Sequence, residues 1–93
     1  MMQITQLDHR WEISGDVLNG TVTQILNASC ALSMSNNTVI DFAKVEAIDT
    51  STISLILEWK RRAQKENQSI KFVNLPANLT SLTQLYGVAE IIN

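Results

Sequence analysis

The chain has 93 residues, of which 45% are hydrophobic, and a formal net charge of −2 at pH 7. This length predicts a single domain over residues 1–93 with one modest core, and the charge excludes the strong positive field that nucleic-acid binding needs. The longest apolar cluster, over residues 53–57, is far shorter than the roughly 18 to 20 residues that span a bilayer, and the lone cysteine is typical of a reducing cytosol. We therefore expect a cytoplasmic protein without direct membrane insertion.

Two short runs at the start of the chain predict a β-hairpin. Met2–Leu7 and Arg10–Ser14 carry apolar residues at strand-like spacing, and the turn-prone pair Asp8 and His9 separates them. His9 is the only histidine. Since no second histidine or cysteine lies near it in sequence, we expect a turn residue and not a metal ligand.

A first helix is predicted after the hairpin. Gly15–Gly20 has the composition of a loop, and apolar and small residues then recur at near-helical spacing from Val22 to Leu32, before the stop at residues 35–37. Cys30 lies among small and apolar neighbours in this segment, which favours a small buried thiol over a reactive nucleophile.

The middle of the chain predicts a central strand and an amphipathic helix. Thr38–Phe42 is nearly continuous in apolar character, which favours a strand covered on both faces. The following helix, ending near Asn67, places apolar residues on one side and polar residues on the other. The apolar side carries Leu55, Ile56, Trp59 and Ala63, and the polar side carries Ser54, Glu58, Arg61 and Lys65. We expect Trp59 and Trp11 to be core residues.

One more strand and one more helix complete the chain. Ser69–Val73 alternates as a strand, and Gly87 is placed to cap the last helix in the left-handed conformation. That helix follows Pro76 and carries a predicted buried stripe of Leu79, Leu82, Leu85 and Tyr86. The order ββαβαβα predicts the α/β class, with a mixed sheet of about four strands and three or more helices packed mainly on one side.

The segment before the second helix has two interpretations. Val45–Ile53 contains Asp49 followed by three hydroxyl residues, and Asp49 or Thr50 as N-cap would stabilise the helix by about 1 kcal/mol. A phosphate on Thr50 would also meet the free N–H groups and the positive dipole end of the helix, next to the charge of Asp49. The first interpretation is structural, the second regulatory.

Sequence features of enzymes are sparse. The three glycines match neither the G-x-x-x-x-G-K-[ST] nor the G-x-G-x-x-G spacing of phosphate-binding loops, so we expect no cofactor. The lack of a second histidine or cysteine near His9 predicts no metal site. An enzyme would need a pocket that gathers Asp41, Asp49 and a hydroxyl. The basic residues from Lys60 to Lys65 predict either a solvated face or a partner surface.

The residues around Thr50 carry a family resemblance. Ile40–Ser51, followed by the helix from Ile53 to Ala63, resembles the central signature of STAS domains. In that signature a strand of the pattern hydrophobic-Asp-hydrophobic leads to a loop ending in Asp-Ser/Thr and then to a helix. The resemblance implies the STAS fold over the whole chain. In anti-sigma-factor antagonists of this family, the phosphorylated Ser or Thr follows the loop Asp, which corresponds to Thr50; many members have Gly where this chain has Thr52.

A closer resemblance is to MlaB-type STAS proteins of Gram-negative bacteria, carried by Leu57–Trp59, Asn74–Leu79 and Leu85–Val88. It implies a non-catalytic accessory subunit that binds the MlaF-like ATPase of a phospholipid-transporting ABC complex, and through it the permease at the inner membrane. The alternative is an anti-sigma-factor antagonist that binds an anti-sigma-factor kinase. The expected regulatory and partner-binding residues are Thr50, Asp49, Ser51, Glu58 and Arg61.

Overall fold

Seven elements form the fold in a computed structural model, which describes residues 3–35 and 37–87. Their order is ββαβαβα, as predicted. The strands are β1 (Gln3–Leu7), β2 (Arg10–Val17), β3 (Thr38–Ile48) and β4 (Ile70–Val73), and the helices are α1 (Val22–Ser29), α2 (Ser51–Lys65) and α3 (Ala77–Leu85).

The four strands form one mixed sheet in the order β1-β2-β3-β4. The hairpin of β1 and β2 is antiparallel, whereas β2 with β3 and β3 with β4 are parallel. The parallel pairs are joined by α1 and α2, and such crossovers are right-handed. Because both crossovers step in the same direction across the sheet, they place both helices on one face, which confirms the predicted arrangement.

The core lies between that face and the helices. Trp11 on β2 pairs with Ile40 on β3, and both are fully buried. Trp11 also meets Trp59 of α2 edge to face, with ring centroids 5.7 Å apart, so both tryptophans are core residues as predicted. The other large buried side chains are Ile13, Val17, Ile25, Phe42, Leu55, Ile56 and Leu79.

A polar cluster ties α1 to α2. The indole Nε1 of Trp59 donates to the buried Ser29 Oγ at 2.9 Å. The guanidinium of Arg62 donates to the carbonyl oxygens of Ser29 and Leu32 at 2.9 and 2.7 Å, which satisfies acceptors left free at the end of a helix. Arg62 therefore has a structural role, although the sequence placed it on a charged helix face.

Both β2 and β3 are longer than predicted. Gly15–Val17 was expected in a loop and instead continues β2, and Val45–Ile48 continues β3. The pairing passes two register shifts, one of them between Gly15 and Asp16, and Gly15 has φ +87°. At both shifts the extra residue lies in β3, where a bulge interrupts the period-2 pattern. β2 keeps its alternation of buried and half-buried residues through Val17, and it was ended early because Gly15 and Asp16 are residue types typical of turns.

Three further expectations need correction. β3 is a central strand, but the helices within residues 3–35 and 37–87 cover one face of the sheet. On the opposite face Val39 is half-buried and Ala43 is exposed. α1 ends at Ser29, three residues before Leu32. Cys30 follows it as the C-cap residue and is exposed, because the buried face of this short helix ends with Ser29.

Candidate docking surface at the start of the second helix

The carboxylate of Asp49 fixes the first turn of α2. Its Oδ1 accepts the N–H of Ser51 at 2.8 Å and its Oδ2 accepts the N–H of Asn19 at 2.9 Å. Thr50 already has helical dihedrals, φ −63° and ψ −23°, and its side chain makes no capping hydrogen bond. Of the two capping candidates, Asp49 therefore satisfies the helix start, and it also binds the loop before α1.

The side chain of Thr52 also stabilises the first turn of α2. Its side chain is fully buried, and its Oγ1 donates to the carbonyl oxygen of Val17 at 2.7 Å. The backbone N–H of Asp49 lies 3.4 Å from the same hydroxyl, which accepts it. The hydroxyl thus joins the end of β2 to the start of α2.

Thr50 itself faces outward. Its side chain is exposed and borders a crevice of about 360 Å³. The crevice is lined by Thr50, Ser51, Ile53, Ser54 and Tyr86. The structure therefore brings the predicted pair Thr50 and Ser51 together with the last residues described after α3.

The end of α3 is exposed, contrary to the predicted buried stripe. Leu79 is fully buried and Leu82 half-buried, as expected, but Leu85 is 77% and Tyr86 58% exposed. Leu85 lies about 120° around the helix from Leu79, because each residue advances about 100°. Tyr86 has the phase of Leu79 but follows the last helical turn, where its ring borders the Thr50 crevice and not the core. The predicted cap is confirmed, since Gly87 has φ +71°.

Glu58 and Arg61 lie further along α2. They form an ion pair with each other, and Arg61 is largely exposed. At about 100° per residue, both lie on the same exposed side of the helix as Thr50. They do not line the Thr50 crevice, so a role for them in binding remains a prediction about a wider surface.

The two aspartates that an enzyme would need are held apart. Asp41 accepts hydrogen bonds from Arg10, the Asn74 side chain and the Ala43 N–H, whereas Asp49 has the partners described above. Eight residues separate the two along β3, which corresponds to more than about 20 Å of strand. Within residues 3–35 and 37–87, no cluster of three or more metal-ligating side chains occurs.

The pKa of Asp49 is lowered in the folded chain. Burial raises this pKa, but the hydrogen bonds from the backbone of Asn19 and from the backbone and side chain of Ser51 outweigh that effect. A carboxylate with a lowered pKa stabilises the fold above its unfolded-state pKa of about 3.9, and this contribution is lost as the pH falls through the folded-state value.

We accordingly expect Asp49→Asn to lower the free energy of unfolding by about 1 kcal/mol at pH 7, because an amide has one acceptor oxygen and cannot accept the N–H groups of both Ser51 and Asn19. The free energy of unfolding of this variant should also fall less steeply below about pH 4. Urea unfolding at a series of pH values measures both effects. Asp8→Asn, which neutralises an exposed carboxylate in the hairpin turn, controls for the loss of one charge. An unchanged acid dependence in Asp49→Asn would contradict the assigned role of the carboxylate.

Comparison with known proteins identifies related sequences and folds. The family model described as "Mlab, STAS domain" matches residues 2–93. No curated protein matches the chain. Across the described residues, no helix is both long and apolar enough to cross a membrane.

Among solved structures, three similar folds are informative. The unphosphorylated anti-sigma factor antagonist SpoIIAA is 15% identical, with a TM-score of 0.66 over 91% of this chain and 83% of that one. Phosphorylated SpoIIAA of Bacillus is 16% identical, with a TM-score of 0.67 over 97% and 86%. A sulfate transporter family protein from Wolinella succinogenes is 14% identical, with a TM-score of 0.71 over 90% and 70%. At these identities the likeness shows the fold alone.

Proposed function

The chain belongs to the family of MlaB-type STAS domains, and on that premise we propose that it is a non-catalytic accessory subunit of a phospholipid-transporting ABC complex. It binds the ATPase subunit of that complex and thereby stabilises or activates it. Through this partner it is held at the cytoplasmic side of the inner membrane, next to the permease, and contributes to lipid transport between the two membranes.

One observation carries the proposal, namely the apolar exposure beside Thr50. Tyr86 and Leu85 are large hydrophobic side chains exposed next to each other in sequence, and the Tyr86 ring shares a crevice with Thr50 and Ser54. Protein interfaces are enriched in tyrosine, which supplies an apolar ring with a polar end. The combination supports a docking site with an aromatic anchor and a rim of hydroxyls.

The position of Thr50 makes this surface sensitive to charge. The crevice is lined by hydroxyl and apolar side chains, and the partly exposed carboxylate of Asp49 is the next residue. A phosphate or carboxylate at Thr50 would lose water on docking, and its repulsion from the neighbouring Asp49 would become stronger as water leaves the site, so both effects oppose binding. The hydroxyl of Thr50 makes no capping bond, so the same change leaves the fold intact.

We expect Thr50→Glu to weaken binding to the ATPase at least tenfold, which corresponds to about 1.4 kcal/mol. The complex is first isolated by co-purification of the tagged chain from gently solubilised membranes of its own host, and the affinity is then measured by isothermal titration calorimetry. Thr23→Glu adds the same charge to the exposed first turn of α1 and should bind as the unmodified chain does. If folded Thr50→Glu binds the ATPase as tightly as the unmodified chain does, Thr50 lies outside the interface.

The anti-sigma-factor antagonist is the second candidate, favoured by the exposed hydroxyl of Thr50 directly after Asp49. It predicts co-purification of a soluble anti-sigma-factor kinase in place of an ABC ATPase, and a phosphate on Thr50 detectable by mass spectrometry. Recovery of such a kinase without ATPase or permease would reject the transporter proposal.

A further inference from the structure

A groove runs between the C-terminal half of α2 and the start of β4. It consists of two adjoining cavities of about 520 and 550 Å³, which share Lys60, Ser69 and Ile70 in their lining. Val39 and Lys71 complete one end. The groove is therefore built from the exposed edge of a helix and the outer part of the sheet.

The charge of the groove is opposite to that of the chain. Lys60 and Lys71 line the first cavity, Lys60 and Arg61 line the second, and no acidic side chain of the described residues lines either, although the net charge of the chain is −2. Arg61 is paired with Glu58. Lys60 and Lys71 form no ion pair within residues 3–35 and 37–87.

The ammonium group of Lys60 is held inside the groove. Its Nζ lies 5.7 Å from the centroid of the Phe72 ring, a distance at which the ring face attracts a cation. Phe72 is itself buried and packs edge to face against Phe42. The core thus positions a cation at the groove on the helix-covered face, beside the half-buried Ile70. Val39 and Lys71 are a cross-strand pair one position from the buried pair Ile40 and Phe72, so they lie on the opposite face and the groove passes over the edge of β4.

We propose that this groove binds an extended acidic segment of a partner protein across the edge of β4. Side chains of an extended segment alternate between the two faces of a sheet. Carboxylates of the segment pair with Lys60 on the helix-covered face and with Lys71 on the open face, and its apolar side chains contact Ile70 and Val39. Basic clusters recognise acidic motifs in this way. Complementary charge is the basis for the choice of ligand, since two cations without carboxylate partners line a concave, partly apolar surface.

The shape and the charge both favour a peptide over other anions. A lipid surface attracts basic residues that project from a flat or convex face, whereas Lys60 is held against the Phe72 ring within a concavity. Nucleic acid requires a larger basic surface than three cations on a chain of negative net charge. The groove lies toward the end of α2 remote from Thr50, so the inference does not rest on the proposed function.

The test uses an octapeptide of two Glu-Glu-Val-Val repeats, titrated into the full ¹⁵N-labelled chain and followed by NMR. In an extended conformation this peptide presents both glutamate and valine on each of its two faces. We expect amide shifts centred on residues 60, 70 and 71, and about fivefold weaker binding for each of Lys60→Gln and Lys71→Gln, because an exposed ion pair contributes roughly that factor. Lys65→Gln removes an equal charge from the same helix but outside the groove, and it should bind the peptide within about twofold of the unmodified chain.

Several outcomes would overturn the proposal. These are equal losses in Lys65→Gln and Lys60→Gln, equal binding of the peptide with glutamine in place of glutamate, or amide shifts away from the groove. Co-sedimentation with phosphatidylglycerol vesicles that requires Lys60 and Lys71, together with no binding of the peptide, would assign the groove to a lipid surface instead. The NMR spectrum of each variant shows that it is folded before it is compared.

Discussion

Replacing Trp59 with alanine should lower the free energy of unfolding by about 3–5 kcal/mol, the usual cost of deleting a buried aromatic side chain. Trp59 packs edge to face on Trp11 and donates to the buried Ser29 hydroxyl, so the substitution removes packing between α2 and the sheet and one hydrogen bond to α1. Since small domains are stable by only about 5–15 kcal/mol, a large part of the stability would be lost.

Urea unfolding followed by the fluorescence of Trp11, the one tryptophan that remains in this variant, measures the change. With a slope of about 2 kcal/mol per molar urea, the midpoint should fall by roughly 2 M. Trp59→Phe keeps a ring but lacks the indole N–H, and should cost about 1–2 kcal/mol. A loss below about 1 kcal/mol in Trp59→Ala would contradict a core position for this residue.

Replacing Tyr86 with alanine should weaken binding to the proposed partner, the ATPase, by about 2 kcal/mol or more, a factor of roughly 30. The free energy of unfolding should change by less than about 0.5 kcal/mol. The ring is 58% exposed in the isolated chain, so it contributes little to the fold. Its position at the Thr50 crevice makes it the aromatic anchor of the proposed interface.

Calorimetric titration of the isolated ATPase with each variant tests this expectation. Leu7→Ala is the matched control, because Leu7 is also a large hydrophobic residue, 51% exposed, but lies in the β1 hairpin. Tyr86→Phe should retain most of the affinity if the ring supplies the contact. Equal losses in Leu7→Ala and Tyr86→Ala would show a nonspecific effect of surface hydrophobicity, and an unchanged Tyr86→Ala affinity would exclude the α3 end from the interface.

Sequence periodicity was sufficient to predict the elements whose pattern is regular. The face of α2 that carries Leu55, Ile56 and Trp59 is buried as predicted, because a 15-residue amphipathic helix repeats its pattern over several turns. The chain order of strands and helices then limited the topology to a mixed sheet with right-handed crossovers. The class and the architecture followed from these local patterns.

The parts that the sequence could not predict depend on contacts between distant residues. The bulges of β3 and the continuation of β2 past Gly15 depend on the pairing of these two strands, and the structural role of Arg62 depends on carbonyl groups some 30 positions away in the chain. Local periodicity contains neither. The exposure of Tyr86 likewise follows from where α3 ends relative to α2. The sequence did indicate that Tyr86 lies at the end of the helix, because it precedes the predicted cap residue Gly87.

Some residues of the candidate site could likewise be predicted from the sequence, and others required the structure. Asp49 and Thr50 could be selected from sequence because an acid and hydroxyls before an apolar helix are typical of a helix start. From the sequence alone, either Asp49 or Thr50 could cap the helix. The hydrogen bonds that Asp49 accepts from Asn19 and Ser51 assign this role to Asp49. The participation of Tyr86 required the packing of α3 against α2.

The hydrogen bonds at the start of α2 do not involve the side chain of Thr50, and this affects how position 50 can change in evolution. Asp49 and Thr52 make the hydrogen bonds that hold the helix start, so natural selection for folding acts on them and leaves Thr50 largely unconstrained. Mutation can then exchange threonine for serine, for a permanent acid or for an inert residue without first requiring a compensating change in the core. On the proposed function, regulation at this single position can be gained or lost while the fold stays the same.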